Sequence, residues 1–137
     1  MIFINMYMID WLAKIQATVE GAVFSDECVA MKHGVEALRG IRYKLRMMGV
    51  AVAGPTYIYG DNMSVIHNTS KPESVLRKKS NSICCHFIRE AMAMKECLTT
   101  HVPTLRNFAD LLTKYLLGKK RRDLVRGDLF DIYDYDE

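Results

Sequence analysis

Three carboxylates stand where a carboxylate needs a reason. Glu27 lies between Phe24 and Met31, at three and four residues' distance, on or beside the apolar stripe of a helix. A charge there costs roughly several kcal/mol unless it is paired or holds a metal. Asp61 follows a β-favouring run and precedes a helix-like one in "TYIYGDNMSVIH". Asp110, in "NFADLLTK", falls one turn into a helix, where free backbone N–H groups favour negative charge. Each has a structural role open to it: the edge of a helix face for Glu27, an N-cap for Asp61 and a first-turn acid for Asp110. Together they fit a second chemistry. Carboxylates on separate elements that converge at one end of a sheet make a hard oxygen site suited to Mg²⁺. Two such ions can clamp the attacking and leaving oxygens of a phosphodiester.

The elements that must position these acids can be read along the chain. Residues 2 to 9 pattern as a strand, and "WLAKIQATV" (11 to 19) as a second. From Phe24 the period changes. Cys28, Met31, Val35, Leu38, Ile41, Leu45 and Met48 recur every three or four residues, which predicts a helix with one apolar face, ended by Gly49. A strand over 56 to 60 and a short helix over 62 to 69 follow. "SKPES" connects, because Pro72 cannot sit inside a helix. Residues 79 to 95 predict a helix with Ile83, Phe87, Ala91 and Met94 inward, and "CLTTHV" a strand. Thr104 or Asn107 should cap a helix running to Leu117, with Gly118 as its stop. A short helix over about 119 to 127 precedes an acidic end. Helices alternating with strands predict an α/β sheet with some parallel pairing.

The chain has 137 residues, enough for one domain and one core. No apolar run approaches the ~20 residues of a membrane span. The start, "MIFINMYMIDW", lacks the basic lead and cleavage site of a signal peptide, so an intracellular location and four reduced cysteines are expected. The net charge of +3 is unevenly spread. Lys32, Arg39, Arg42, Lys44 and Arg46 face only Glu36. Lys71 to Lys95 holds six basic residues and two acidic, and Lys114 to Arg126 six and one. The last eleven residues, "GDLFDIYDYDE", carry five acids. Solvated helix faces explain any one cluster. Three in one small domain favour a polyanion partner.

By residue type, Cys84, Cys85, His86, Cys97 and His101 could bind zinc. Their spacing does not match paired C-x₂-C or H-x₃₋₅-H patterns, and Cys84 and His86 point to different faces of a helix. Free cysteines are more often buried filler. "YGDN" also matches a strand-turn-strand metal motif of some RNA polymerases, which would require a strand after Asn62 where the pattern predicts a helix.

"IDWLAKIQATVEGAVFSDECVAMKHGVEALRGIRYKLRMMGV", "GPTYIYGDNMSVI", "HFIREA" and "HVPTLRNFADLLTK" occur in an order that resembles the C-terminal ribonuclease H domain of copia-type LTR retrotransposon polyproteins. The resemblance covers roughly residues 3 to 122. It implies a ribonuclease H-like domain over 1 to 122 with an acidic tail over 123 to 137. The implied fold is an α/β mixed sheet flanked by helices. The family cleaves the RNA strand of RNA–DNA hybrids with two Mg²⁺ ions and four acids. By position, its acids map to Glu27, Asp61 and Asp110, which makes Asp61 a metal ligand first and a cap second. Asn62, Arg77, Lys78, Lys79, Lys114, Lys119 and Arg121 would hold the nucleic acid. An upstream reverse transcriptase region would be the neighbour in the polyprotein, and no membrane is involved. The family's first acid lies on a first strand some twenty to thirty residues before the "DW" motif, whereas Met1 lies ten residues before Trp11. The sheet is therefore expected to lack its first strand, and this copy to be weak or inactive. The alternatives are a non-catalytic nucleic-acid-binding module on the same fold, or a pseudogene product.

Overall fold

The computed structural model describes residues 1–5, 7–13, 23–71 and 79–129. Its elements are β1 (Ile2–Ile4), β2 (Tyr7–Asp10), α1 (Val23–Met47), β3 (Thr56–Gly60), α2 (Met63–Ser70), α3 (Lys79–Ala93), β4 (Cys97–His101), a 3₁₀ turn (Thr104–Arg106), α4 (Asp110–Thr113) and α5 (Gly118–Leu129). The fold is of the α/β class. The chain divides into two compact units: Gln16–Val102, and Met1–Ile15 with Pro103–Glu137.

The Gln16–Val102 unit is a β-α-α-β crossover laid against a long helix. β3 and β4 pair in parallel, with Thr56 opposite Cys97 and Gly60 opposite His101. α1 forms where the apolar spacing predicts it and turns Cys28, Met31, Val35 and Leu38 inward. Gly49, at φ +76°, ends it: the Val50 N–H donates to the Leu45 carbonyl (2.9 Å) and the Gly49 N–H to that of Arg46 (3.0 Å). This left-handed cap favours glycine. α1 runs antiparallel to β3. At one end the buried Arg42 donates to Gly54 O and Thr56 Oγ1, both at 3.0 Å. At the other, a Cβ on Gly60 would lie 3.0 Å from the Met31 methyl and 3.3 Å from Ile66 Cδ1, which is why this position is a glycine.

α1 and α3 lie side by side and parallel. Ser25 bonds Asn81 (2.7 Å), Cys28 meets Cys85 (3.2 Å), and Arg39 bonds Glu96 (2.7 Å) and covers the Phe87 ring (4.7 Å). The core joins the α1 residues to Val65 and Ile66 of α2, to Cys84, Cys85, Ile88 and Ala91 of α3, and to Cys97 of β4. The inward face of α3 differs from the one expected. Ile83 and Met94 are exposed, and Cys84, Cys85 and Ile88 take the buried stripe. α1 is the reason, since it presents its small side chains to that stripe and admits cysteines at close range.

In the other unit, the strand predicted over 2 to 9 is a hairpin. β1 and β2 pair antiparallel, Phe3 opposite Met8 and Ile4 opposite Tyr7. Asn5 turns the chain at φ 56°, a conformation its short polar side chain tolerates. Residues 14–19 of the predicted second strand lie outside the described residues, as do Pro72 to Ser74 of the connector and the end of the acidic tail from Phe130. The helix expected to reach Leu117 is instead the 3₁₀ turn and the single turn of α4. Tyr115 and Leu117 are exposed, so continuing the helix would bury nothing at those positions. Gly118 opens α5 rather than stopping the preceding helix. Phe3 and Phe108 pack with ring centroids 6.3 Å apart, and Leu124 of α5 is buried.

Candidate functional site

The C-terminal end of the β3–β4 sheet gathers polar groups that the crossover topology brings together. β3 stops at Gly60, and Asp61 and Asn62 lead into α2. The helix cap belongs to Asn62, not Asp61. Asn62 sits in extended backbone, and its Oδ1 accepts from the N–H groups of Ser64 (2.9 Å) and Val65 (3.3 Å). Asp61 is half-buried between the strand end and this cap. Asn62→Ala is expected to lower stability by about 1 kcal/mol in a urea titration. A loss below about 0.3 kcal/mol would mean that the Asn62 cap does not hold the start of α2.

The antiparallel seat of α1 on β3 decides where Glu27 falls. α1 rises about 16 Å between Arg42 and Met31, and β3 about 13 Å between Thr56 and Gly60, so the two elements stay alongside. Glu27 lies four residues, about 6 Å, nearer the start of α1 than Met31, on the side of the helix that Met31 turns toward Gly60. Glu27 is half-buried and on the same side of α1 as Met31. His101 ends β4 directly opposite Gly60, and the Val102 N–H donates to Gly60 O at 2.9 Å. From sequence, His101 had a role only in the zinc pattern. Parallel pairing of β3 with β4, which the intervening helices predict, was the signal that would have placed it beside Asp61. Ligands of parallel sheets characteristically sit outside the carboxyl ends of the strands. Of the other residues in the zinc pattern, Cys84, Cys85 and Cys97 are buried, whereas His86 and His101 are exposed.

Asp110 belongs to the Met1–Ile15 and Pro103–Glu137 unit and is 2% exposed. Lys114 Nζ lies 2.8 Å from its Oδ1, and Lys120 Nζ lies 2.9 Å from its Oδ2. Burial pushes this carboxyl up, but the two ammonium groups outweigh burial and hold it below the usual carboxylate value. Lys114 and Arg121 also line a surface depression of about 200 Å³ with Tyr115, Leu111 and Leu116. Lys119 is exposed at the start of α5, and Lys79 opens α3. Arg77 and Lys78 lie outside the described residues.

As donors, Glu27 and Asp61 suit a hard divalent cation: two carboxylates on rigid elements at an open sheet end. Among the described residues, no three His, Cys, Asp or Glu side chains are grouped closely enough to hold one ion, and no helix is long and apolar enough to cross a membrane.

No protein-family profile matches the chain, and no solved structure matches it. Curated relatives do. The chain is 27% identical over 115 residues to the retrovirus-related Pol polyprotein from transposon RE2 of Arabidopsis thaliana, and equally to that from transposon RE1. Each alignment takes in 84% of this chain and 8% of the relative, so the chain spans a small part of the proteins it matches. The similarity supports a retrotransposon Pol polyprotein origin for the chain.

Proposed function

We propose that the chain is the ribonuclease H-like segment of a copia-type Pol polyprotein and that it engages RNA–DNA hybrids. What supports this reading is the end of the β3–β4 sheet, where Gly60 leads into Asp61 and the Asn62-capped α2, with α1 seated antiparallel on β3. Glu27 and Asp61 would hold Mg²⁺, and by position in the sequence Asp110 corresponds to a further acid of the family. Bound Mg²⁺ would supply charge stabilisation at the phosphodiester being cut. The chain's own groups hold the polyanion: Lys114 and Arg121 flank the exposed Tyr115, with Lys119 beside them, and Arg77, Lys78 and Lys79 form a second basic segment. Asn62 fixes the backbone around Asp61 through its cap.

A non-catalytic binding module is the second reading, favoured by the engagement of both Asp110 oxygens by lysines. The only carboxylate on the described strands is Asp10, whose Oδ1 accepts the Trp11 N–H at 2.8 Å, so none of the described strand residues stands in for the first acid that the resemblance implies. Hybrid cleavage by the 137-residue chain is therefore expected to be weak. The test is a labelled RNA–DNA hybrid with Mg²⁺ or Mn²⁺, comparing wild type with Asp61→Asn. Hybrid affinity should fall steeply with salt, with a logarithmic slope near −0.9 per phosphate neutralised. Residual cleavage should drop roughly tenfold or more in the variant. Salt-dependent binding by both proteins with cleavage by neither selects the binding module. Cleavage that Asp61→Asn leaves intact, or binding indifferent to salt, would sink the proposal.

A further inference from the structure

Cys28 and Cys85 are the central contact between α1 and α3. Both are fully buried, and their sulfurs lie 3.2 Å apart. The two helices run parallel and are tied on either side of the pair by Ser25–Asn81 and by Arg39 on Phe87, so the sulfurs are held face to face. A disulfide needs a sulfur separation of about 2.05 Å, a closure of roughly 1 Å.

We infer that Cys28 and Cys85 form a reversible disulfide staple between α1 and α3, made by a small peroxide and undone by thiols. The two sulfurs divide the work. The hydrogen bond from Cys28, opposed by burial and aided by the charge of Arg89, draws the Cys85 thiol below its ordinary value, which makes it the more readily ionised of the two. The same hydrogen bond, then burial and the other thiols of the cluster, push Cys28 up and keep it protonated. The Cys85 thiolate attacks one peroxide oxygen, the O–O bond breaks, and the departing hydroxide takes a proton to leave as water. Cys85 is then a sulfenic acid. With its negative charge gone, Cys28 is no longer held in its protonated form. The Cys28 sulfur attacks that of Cys85, the S–O bond breaks, and hydroxide leaves with the Cys28 proton as a second water. Two thiols and one peroxide become one disulfide and two waters. Burial excludes bulky oxidants, so peroxide should act faster than oxidised glutathione.

The test treats the full chain with hydrogen peroxide under native conditions and maps its disulfides by mass spectrometry. The expected product has lost two hydrogens, links the Cys28 peptide to the Cys84–Cys85 peptide, and still forms in Cys84→Ala but not in Cys85→Ala. Its melting temperature should rise on the order of 5–10 °C and return to the starting value with dithiothreitol. Oxidation of Cys97 at the same rate as Cys85, a link through Cys84 or between chains, or a cross-linked chain that melts no higher would each overturn the inference. On wild type, fragment ions from cleavage between Cys84 and Cys85 assign the bridged sulfur directly, so the result does not depend on either variant folding.

Discussion

Ile88→Ala is expected to lower the unfolding free energy of the Gln16–Val102 unit by about 3–4 kcal/mol. Ile88 is the largest of the fully buried side chains and lies on the inner face of α3, one turn from Cys84, Cys85 and Ala91. Deleting its three outer carbons forfeits transfer free energy and leaves a cavity. The size of the second loss depends on whether neighbours can move in. Here many are small and stiff: Cys28, Cys85, Ala91 and Cys97 cannot extend, and Val35 and Val65 are β-branched. Met31 is flexible, but its methyl is already pressed against Gly60. Little collapse is available, which puts the loss in the middle of the usual range rather than at its foot. Ile88→Val, which removes one methyl, should cost about 1 kcal/mol. Urea denaturation followed by far-UV circular dichroism reads both, with an unchanged slope required for the comparison. A loss below about 1 kcal/mol for the alanine variant would mean that α1 and α3 do not close on this residue.

The parts of the fold legible in the sequence were those set by one local signal. The period of α1, the glycine at its end and the β-favouring run of β3 each appear where expected. What the sequence concealed depended on partners far along the chain. Ile83 and Met94 are as hydrophobic as any core residue, yet α1 selects the cysteine stripe of α3, because parallel packing at this distance needs small side chains. The turn inside residues 2 to 9 was marked by a single Asn5 in an apolar run, a signal too slight to outweigh its neighbours. "DLLTKYLL" has helical spacing, but spacing alone does not make a helix when positions 115 and 117 have nothing to bury against. At the candidate site, Asp61 and Glu27 were legible as carboxylates in unusual places. That the cap falls to Asn62 turned on one residue of phase between two good capping side chains. The lysines on Asp110 were present in sequence only as part of a charge cluster, four and ten residues away. The first is an ordinary helical spacing, and the second depends on how α5 folds back.

Asp110→Ala is expected to remove about 2–3 kcal/mol from the stability of its unit at neutral pH. Breaking a fully buried ion pair costs ~3–5 kcal/mol because the surviving charge is stranded. Here Lys114 is half-exposed and can return to water, while Lys120, three-quarters buried, cannot do so without shifting α5. The loss should therefore be largest where Lys120 sits, and amide exchange along α5 should accelerate more than in the β1–β2 hairpin. The pH dependence gives the sign. The folded carboxyl lies below its ordinary value of 3.8, so the folded state favours the ionised form more than the unfolded state does. The stabilisation is complete above the unfolded value and is lost as pH falls through the folded one. Wild type and Asp110→Ala should differ most at pH 6 to 7, begin to converge near pH 4 and meet only below the folded value. Asp110→Asn, which keeps the size and one acceptor, should lose less than the alanine variant and show the same flat acid limb. Hydrogen-exchange or melting curves that stay parallel from pH 7 to pH 3 would mean that the two lysines hold nothing through Asp110. In that case its carboxylate is uncommitted, and the case for it as a metal ligand is correspondingly stronger.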